Sequence, residues 1–240
     1  MSREHGMTSN LTIQERYQHI HDRVARAAGK AGRSASDVTL VAVSKTFPAS
    51  DIARHHGFGQ MDFGENKIQE LTLKQESLSN SHIRWHYIGH LQRNKAKFLT
   101  SRVHLFHALD SVRLARELNK RLAMDDQTLD CLLQVNVSGE DSKFGVDPEH
   151  VDRVLTGIAG FDRLRVQGLM TLAAPAADPE LVRGQFALLR EVAARHDDHM
   201  QPPHNGGPLL SMGMSSDFEV AIEEGATHIR IGSLLFGERT

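Results

Sequence analysis

The stretch VTLVAVSKTFPASDIARHHGFGQMDFG, residues 38–64, decides the fold. It reads as a short apolar run, Val38–Ser44, an amphipathic segment over Ala49–His56, and a second short run, Met61–Gly64. The same alternation continues along the chain. Further runs fall at Ile83–Ile88, Leu105–Ala108, Cys131–Val137, Arg165–Met170, Leu209–Met212 and Ile229–Gly232. Helices are predicted between them at Glu65–Ser77, Arg93–Leu99, Ser111–Met124, Pro148–Ala159, Glu180–Ala194 and Ser216–Glu224, with a last short turn at Phe236. Several runs lack strict polar alternation, as parallel strands buried on both faces do. Eight strand–helix units predict a (β/α)8 TIM barrel. A doubly wound open sheet with one or two miscounted strands is the competing architecture.

Upstream, Ile13, Tyr17, Ile20, Val24, Ala27 and Ala31 recur at steps of three and four, one stripe of an additional N-terminal helix. Thr12 and Glu15 have the spacing of a capping box, and Gly29 and Gly32 end the pattern. The chain has 240 residues, room for one large domain. The expected organisation is a single domain over residues 9–240 behind a flexible tail, residues 1–8. Lys and Arg number 28 against 30 Asp and Glu, so net charge argues against a nonspecific nucleic-acid binder. One cysteine, Cys131, excludes an intrachain disulfide and suits a reducing compartment. The N-terminus lacks a signal-peptide core and no run is long enough to span a membrane, so the expected location is the cytoplasm.

Barrel chemistry sits at the C-terminal strand ends. There the sequence places Ser44-Lys45-Thr46, Gly64-Glu65-Asn66, Ile88-Gly89-His90, Asn136-Val137-Ser138, Met170-Thr171, Met212 to Ser216 and Gly232-Ser233. Lys45 directly follows an apolar strand, where desolvation disfavours the ammonium and suits Schiff-base chemistry; the alternative is a lysine that snorkels to solvent. Ser211 to Asp217 and Arg230 to Ser233 put Gly and Ser after strands seven and eight, a common phosphate-binding position. Ser216 and Glu219 also have capping-box spacing. Lys143 either meets an anion or faces water.

Other patterns carry less. His82, His86 and His90 recur every four residues but fall on a strand and its end, not on one helix face. The three histidines of HDDHMQPPHNGGP, residues 196–208, sit in a Pro- and Gly-rich surface loop, and no zinc motif or Walker A sequence occurs. Arg93, Lys95 and Lys97 are too few for nucleic-acid binding, and aromatics make up only 5% of the chain. Cys131 reads as an inert core residue. No metal-ligating residue is expected.

Taken together, Ala42-Val-Ser-Lys45-Thr, Phe63-Gly-Glu-Asn66 with Gln69-Glu70, Trp85-His-Tyr-Ile-Gly-His-Leu-Gln92, Gln134-Val-Asn136, Ser142-Lys143, Gly168-Leu-Met170, Leu210 to Ser215 with Asp217, and Arg230-Ile-Gly232 with Phe236-Gly237 resemble the pyridoxal 5′-phosphate homeostasis family. These are pyridoxal-phosphate-binding proteins similar to the alanine racemase barrel domain. The resemblance runs in order from residue 38 to the end. It implies a fold-type III barrel without the racemase's C-terminal β domain, and pyridoxal phosphate (PLP) held on Lys45 as an internal aldimine. It also implies that Ser211, Gly213, Gly232 and Ser233 surround the phosphate, that Asn66 and Met212 line the cofactor, and that Arg230 faces the pyridine nitrogen. A guanidinium there disfavours ring protonation and weakens the electron sink. The racemase's second base is a tyrosine from its extra domain, whereas Tyr17 and Tyr87 lie in the first helix and the third strand. The resemblance therefore implies a noncatalytic role in vitamin B6 and amino-acid homeostasis, with no catalytic residue, and a weak amino-acid racemase as the alternative. The expected state is a monomer, with transient transfer to PLP-dependent apoenzymes as its partnership and neither nucleic acid nor membrane as partner. Phe47 and Lys67 depart from the family pattern without removing a cofactor residue.

Overall fold

A computed structural model describes residues 11–79, 81–99, 103–140, 144–174, 176–203 and 206–237. Helix α1 (Ile13–Lys30) precedes strand β1 (Thr39–Val43). Then follow α2 (Ala49–Gly57), β2 (Asp62–Glu65), α3 (Ile68–Ser77), β3 (Arg84–Tyr87), a 3-10 helix (Arg93–Phe98), β4 (Leu105–Leu109), α4 (Val112–Met124) and β5 (Leu129–Gln134). The chain continues through α5 (Val151–Ile158), β6 (Leu164–Met170), α6 (Arg183–Arg195), β7 (Leu209–Met214), α7 (Phe218–Glu223), β8 (His228–Ile231) and the short α8 (Ser233–Phe236).

All eight strands are parallel and close in sequence order, β8 pairing back onto β1 through Thr39–His228, Leu40–Ile229, Val41–Arg230 and Ala42–Ile231. That closure excludes the open sheet. Alternate strand residues face opposite sides. Leu40 and Ala42 join the apolar layer beneath the helices, with Ile52, Leu71, Leu114, Leu118, Phe186 and Ile222. Val41 and Val43 are buried outside that layer, in the barrel interior. Each fully buried large side chain in the layer is worth about 1.5–3 kcal/mol.

The N-terminal stripe is buried as read, through Tyr17, Ile20, Val24 and Ala27, and packs α1 on α7 and α8. Its capping box forms: Thr12 Oγ1 accepts from Glu15 N, and Thr12 N donates to Glu15 Oε2 at 2.8 Å. Arg23 ties α1 to α7 by a two-point bond to Glu219 and lies 4.7 Å over the Phe218 ring.

Several boundaries differ from the sequence reading. Glu65 belongs to β2, and α3 starts three residues later, at Ile68. The segment after β3 is a 3-10 helix. The Ser216–Glu219 box does not form, because α7 starts at Phe218 and Asp217 instead accepts from Met214 N at 2.6 Å. Residues 1–10, with the proposed tail, lie outside the described residues, as do Ser142, Lys143 and His204.

Candidate functional site

Lys45 is half-buried, one residue beyond Ser44 at the end of β1. Its loop is held from outside the barrel by residues of β2 and α3. Ser44 Oγ donates to Glu65 Oε1 at 2.6 Å, and Lys74 Nζ donates to the same oxygen at 2.6 Å and to the Ser44 carbonyl at 2.9 Å. Burial pushes the Glu65 carboxyl up, against the Lys74 and Ser44 bonds that stabilise its charge. On the other side of Lys45, Thr46 N donates to Glu70 Oε2 at 3.0 Å. Thr46 has φ 72°, a strained value for a β-branched residue and one that over-determined local contacts must maintain. The two clamps fix the backbone on both sides of Lys45.

At the end of β2, Asn66 is half-buried and its backbone carbonyl accepts from Tyr87 Oη at 3.2 Å. Gly89 permits this approach, since a Cβ there would lie 2.3 Å from the Asn66 carbonyl oxygen. Asn66 Oδ1 is buried with no hydrogen-bond partner among the described residues. The side-chain amide thus has bonding capacity left for a ligand at the mouth.

Arg230 is registered with Val41 on the neighbouring strand and is 3% exposed. Its Nη1 donates to Ser211 Oγ at 2.6 Å and its Nη2 to the Thr171 carbonyl at 2.7 Å. Burial lowers its pKa to about 10, with Asp217 opposing the shift, so the guanidinium stays cationic at neutral pH. Asp217 itself is pushed up by burial, against its bond from Met214 N and the nearby Arg230.

The expected phosphate residues separate into two groups. Ser211 is fully buried inside the barrel, its hydroxyl engaged by Arg230 and by His107 Nδ1 at 2.8 Å. Its hydroxyl therefore supports Arg230 from within the barrel. Met212, pointing to the opposite side of β7, is fully buried in the apolar layer, away from the mouth. Gly213 has φ 92°, and a Cβ there would lie 2.6 Å from Ala221 Cβ, so this glycine admits α7 against the strand. At the mouth stand Ser215, whose Oγ accepts from Gly232 N at 3.4 Å, and the exposed Ser216 and Ser233. This contact joins the loops after β7 and β8.

The sequence reading missed the interior. Asp62, His86, His107 and Ser211 form a buried hydrogen-bonded line. The usable signal was strand parity: Asp62 shares a face with Gly64, and His86 with Arg84 and Ile88. Of the other expected histidines, His82 is exposed, while His90 bonds Asp110 at 2.9 Å and stacks on Phe144 at 3.9 Å between ring centroids. Cys131 is buried and its thiol pushed up by burial, as an inert core residue should be. Among the described residues no group of three or more His, Cys, Asp or Glu could hold a metal ion. No described helix is long and apolar enough to cross a membrane.

The family model described as alanine racemase, N-terminal domain, matches residues 16–240. A curated relative from Aquifex aeolicus, named Pyridoxal phosphate homeostasis protein, is 43% identical over 226 residues, 94% of this chain and 97% of its own. The chain belongs to this family. Its Escherichia coli K12 member of the same name is 39% identical over 224 residues, covering 92% of this chain and 94% of that one. The PipY protein of Synechococcus elongatus, solved with PLP bound, superposes with a TM-score of 0.78 at 32% identity, over 89% of this chain and all of that one. Alanine racemase from Corynebacterium glutamicum shares the fold, with a TM-score of 0.68 at 17% identity over 92% of this chain and 61% of the racemase. The family resemblance and the barrel expected from the sequence both hold.

Proposed function

We propose that this protein binds pyridoxal phosphate at the C-terminal mouth of its barrel and serves PLP homeostasis without strong catalysis. The observation that carries the reading is the pairing of a clamped Lys45 at the end of β1 with a buried cationic Arg230 on the adjacent strand. The half-buried Asn66 amide at the end of β2 and the hydroxyls around Ser215 fit the same group. Bound there, PLP supplies an electrophilic aldehyde, a conjugated pyridine ring and a phosphate.

Lys45 holds the cofactor covalently, its Nζ replacing the aldehyde oxygen with loss of one water. Ser215, Ser216, Ser233 and the backbone at Gly232 bind the phosphate, where charge-assisted hydrogen bonds favour the anion. Asn66 lines the ring, where its side-chain amide can donate to the 3-oxygen. Arg230 faces the ring nitrogen and, staying cationic, opposes its protonation. Two-sided proton transfer needs a second positioned acid or base. Tyr17 Oη bonds His55 Nδ1 at 3.0 Å beneath the first helix, and Tyr87 Oη donates to the Asn66 carbonyl at 3.2 Å. We place the protein in the cytoplasm as a monomer that passes PLP transiently to apoenzymes, with residues 9–240 as its single domain.

The test is borohydride reduction of the purified protein after incubation with PLP, followed by peptide mass spectrometry. The pyridoxyl group is expected on the Lys45 peptide and absent from Lys45→Ala. Labelling mainly at Lys143, or racemisation of amino acids at ordinary enzymatic rates, would overturn the proposal. Light scattering at twice the mass of one chain would reject the monomer.

A further inference from the structure

A continuous line of side chains crosses the barrel from its N-terminal mouth to Arg230. Arg84, at the start of β3, grips Asp62 with two bonds, Nε to Oδ1 at 2.8 Å and Nη2 to Oδ2 at 2.6 Å. His86 Nε2 meets Asp62 Oδ1 at 3.0 Å, and His86 Nδ1 meets His107 Nε2 at 2.9 Å. His107 Nδ1 meets Ser211 Oγ at 2.8 Å, and Ser211 Oγ accepts from Arg230 Nη1 at 2.6 Å. The line draws on β2, β3, β4, β7 and β8. His86 is 1% and His107 0% exposed, so no water replaces a lost partner cheaply.

The geometry fixes the direction of every proton. Asp62 accepts from Arg84, which marks it as a carboxylate; burial pushes its pKa up, but the Arg84 and His86 bonds hold it well below the usual range. His86 therefore carries its proton on Nε2. Two ring nitrogens 2.9 Å apart require one donor and one acceptor, so His86 and His107 cannot both be doubly protonated. If His86 were the imidazolium, His107 would donate to Ser211 Oγ, and the Ser211 proton would have no acceptor in this line. With both rings neutral every atom is satisfied: Arg230 donates to Ser211, Ser211 to His107 Nδ1, His107 Nε2 to His86 Nδ1, and His86 Nε2 to Asp62. Burial, together with the positive groups around them, lowers both histidines, and the packed His104 and His228 rings add to this.

We infer that His86 and His107 are positioning residues for the cofactor: they orient the Ser211 hydroxyl so that its lone pair holds Arg230 against the ring nitrogen. The inference rests on the proposed PLP site for its consequence but not for its geometry. The Asp62–Arg84 end of the line opens into a cavity of about 840 Å³ at the N-terminal mouth, lined also by His104 and His228. The ring-nitrogen partner is thus tied through five side chains to the opposite mouth of the barrel.

The experiment has two arms on the full-length protein. Long-range 15N–1H NMR of histidine-labelled protein without PLP should show His86 and His107 both as neutral Nε2–H tautomers with exchange-protected ring protons. In the second arm, His107→Leu, which can neither donate nor accept, should weaken PLP about tenfold and shift its visible absorbance. His107→Gln, with an amide that can donate toward His86 and accept from Ser211, should remain within about threefold. Either histidine as the Nδ1–H tautomer, or Leu and Gln variants that match wild type in affinity and spectrum, would overturn the inference. Failure of the wild-type protein to bind PLP would instead strike the proposed function, and the first arm would still decide the line.

Discussion

Lys74→Met is the sharpest test of how the Lys45 loop is built. Lys74 and Glu65 are 8% and 0% exposed, and Nζ donates at once to the carboxylate and to the Ser44 carbonyl. Methionine keeps the length of the side chain and its packing but removes both bonds. Breaking a buried pair by deleting one partner costs about 3–5 kcal/mol, because the remaining charge is left uncompensated. For a chain of this size that corresponds to a fall in Tm of roughly 6–20 °C at neutral pH. The loss must depend on pH. Without Lys74, burial raises the folded-state carboxyl further above its unfolded value. Such a group costs nothing below the unfolded pKa, and stability is lost as pH rises through the raised folded pKa. Chemical unfolding at pH 5 and pH 8 should therefore show a larger deficit at pH 8. Glu65→Leu combined with Lys74→Met should recover much of it, because an apolar pair of similar volume can replace a buried ion pair at little cost. A deficit below about 1 kcal/mol, or one equal at both pH values, would refute the view that this pair is a buried charge clamp.

Ser215→Ala should weaken PLP by roughly 10- to 150-fold, one charged hydrogen bond, while leaving unphosphorylated pyridoxal nearly unchanged. Ser211→Ala should weaken both ligands alike, as measured by fluorescence titration, because its hydroxyl serves Arg230. Gly213→Ala should destabilise the fold by about 1–3 kcal/mol in urea titration, since its Cβ would meet Ala221 at 2.6 Å on a backbone with φ 92°. Arg84→Met should make stability more sensitive to acid. A depressed carboxylate contributes stability above its unfolded pKa and loses it as pH falls through the folded value, so a less depressed Asp62 should give way nearer pH 4 in acid titration.

Much of the barrel is legible because parallel strands with helices on one side and a packed interior on the other carry nearly continuous apolar runs. Thr39–Val43 and Leu105–Leu109 are such runs, and both were read within two residues of their observed bounds. Lys45 is legible as a polar residue directly after an apolar strand, and Arg230 through the family resemblance. What single-sequence reading did not resolve is the side of the strand on which a residue falls once a bulge intervenes. The β7–β8 register shifts between Ser211 and Met214, so the serine at the start of the glycine motif faces inward and the one past its end reaches the mouth. Glu65 and Lys74 were hidden for a different reason: nine residues and a strand-to-helix turn separate two charges that meet only when α3 packs on β2. His86 was visible as part of a histidine spacing, but a four-residue period on a strand hides the two-residue parity that pairs it with Asp62 and His107.

The two ends of the proposed cofactor are held by different physics. Lys45 is fixed from outside the barrel by charged groups, the buried pair Glu65 and Lys74 and the more exposed Glu70. Arg230 is fixed from inside by neutral groups in a directional line that ends on a carboxylate already neutralised by Arg84. An anionic partner placed directly on Arg230 would cancel the field that opposes ring protonation, whereas a serine hydroxyl orients the guanidinium and leaves its charge intact. Asp217 moderates that charge without forming a hydrogen bond to the guanidinium among the described contacts. A neutral wire is therefore the support that a cationic ring partner requires, whereas the charged clamp beside the lysine holds the backbone on either side of it.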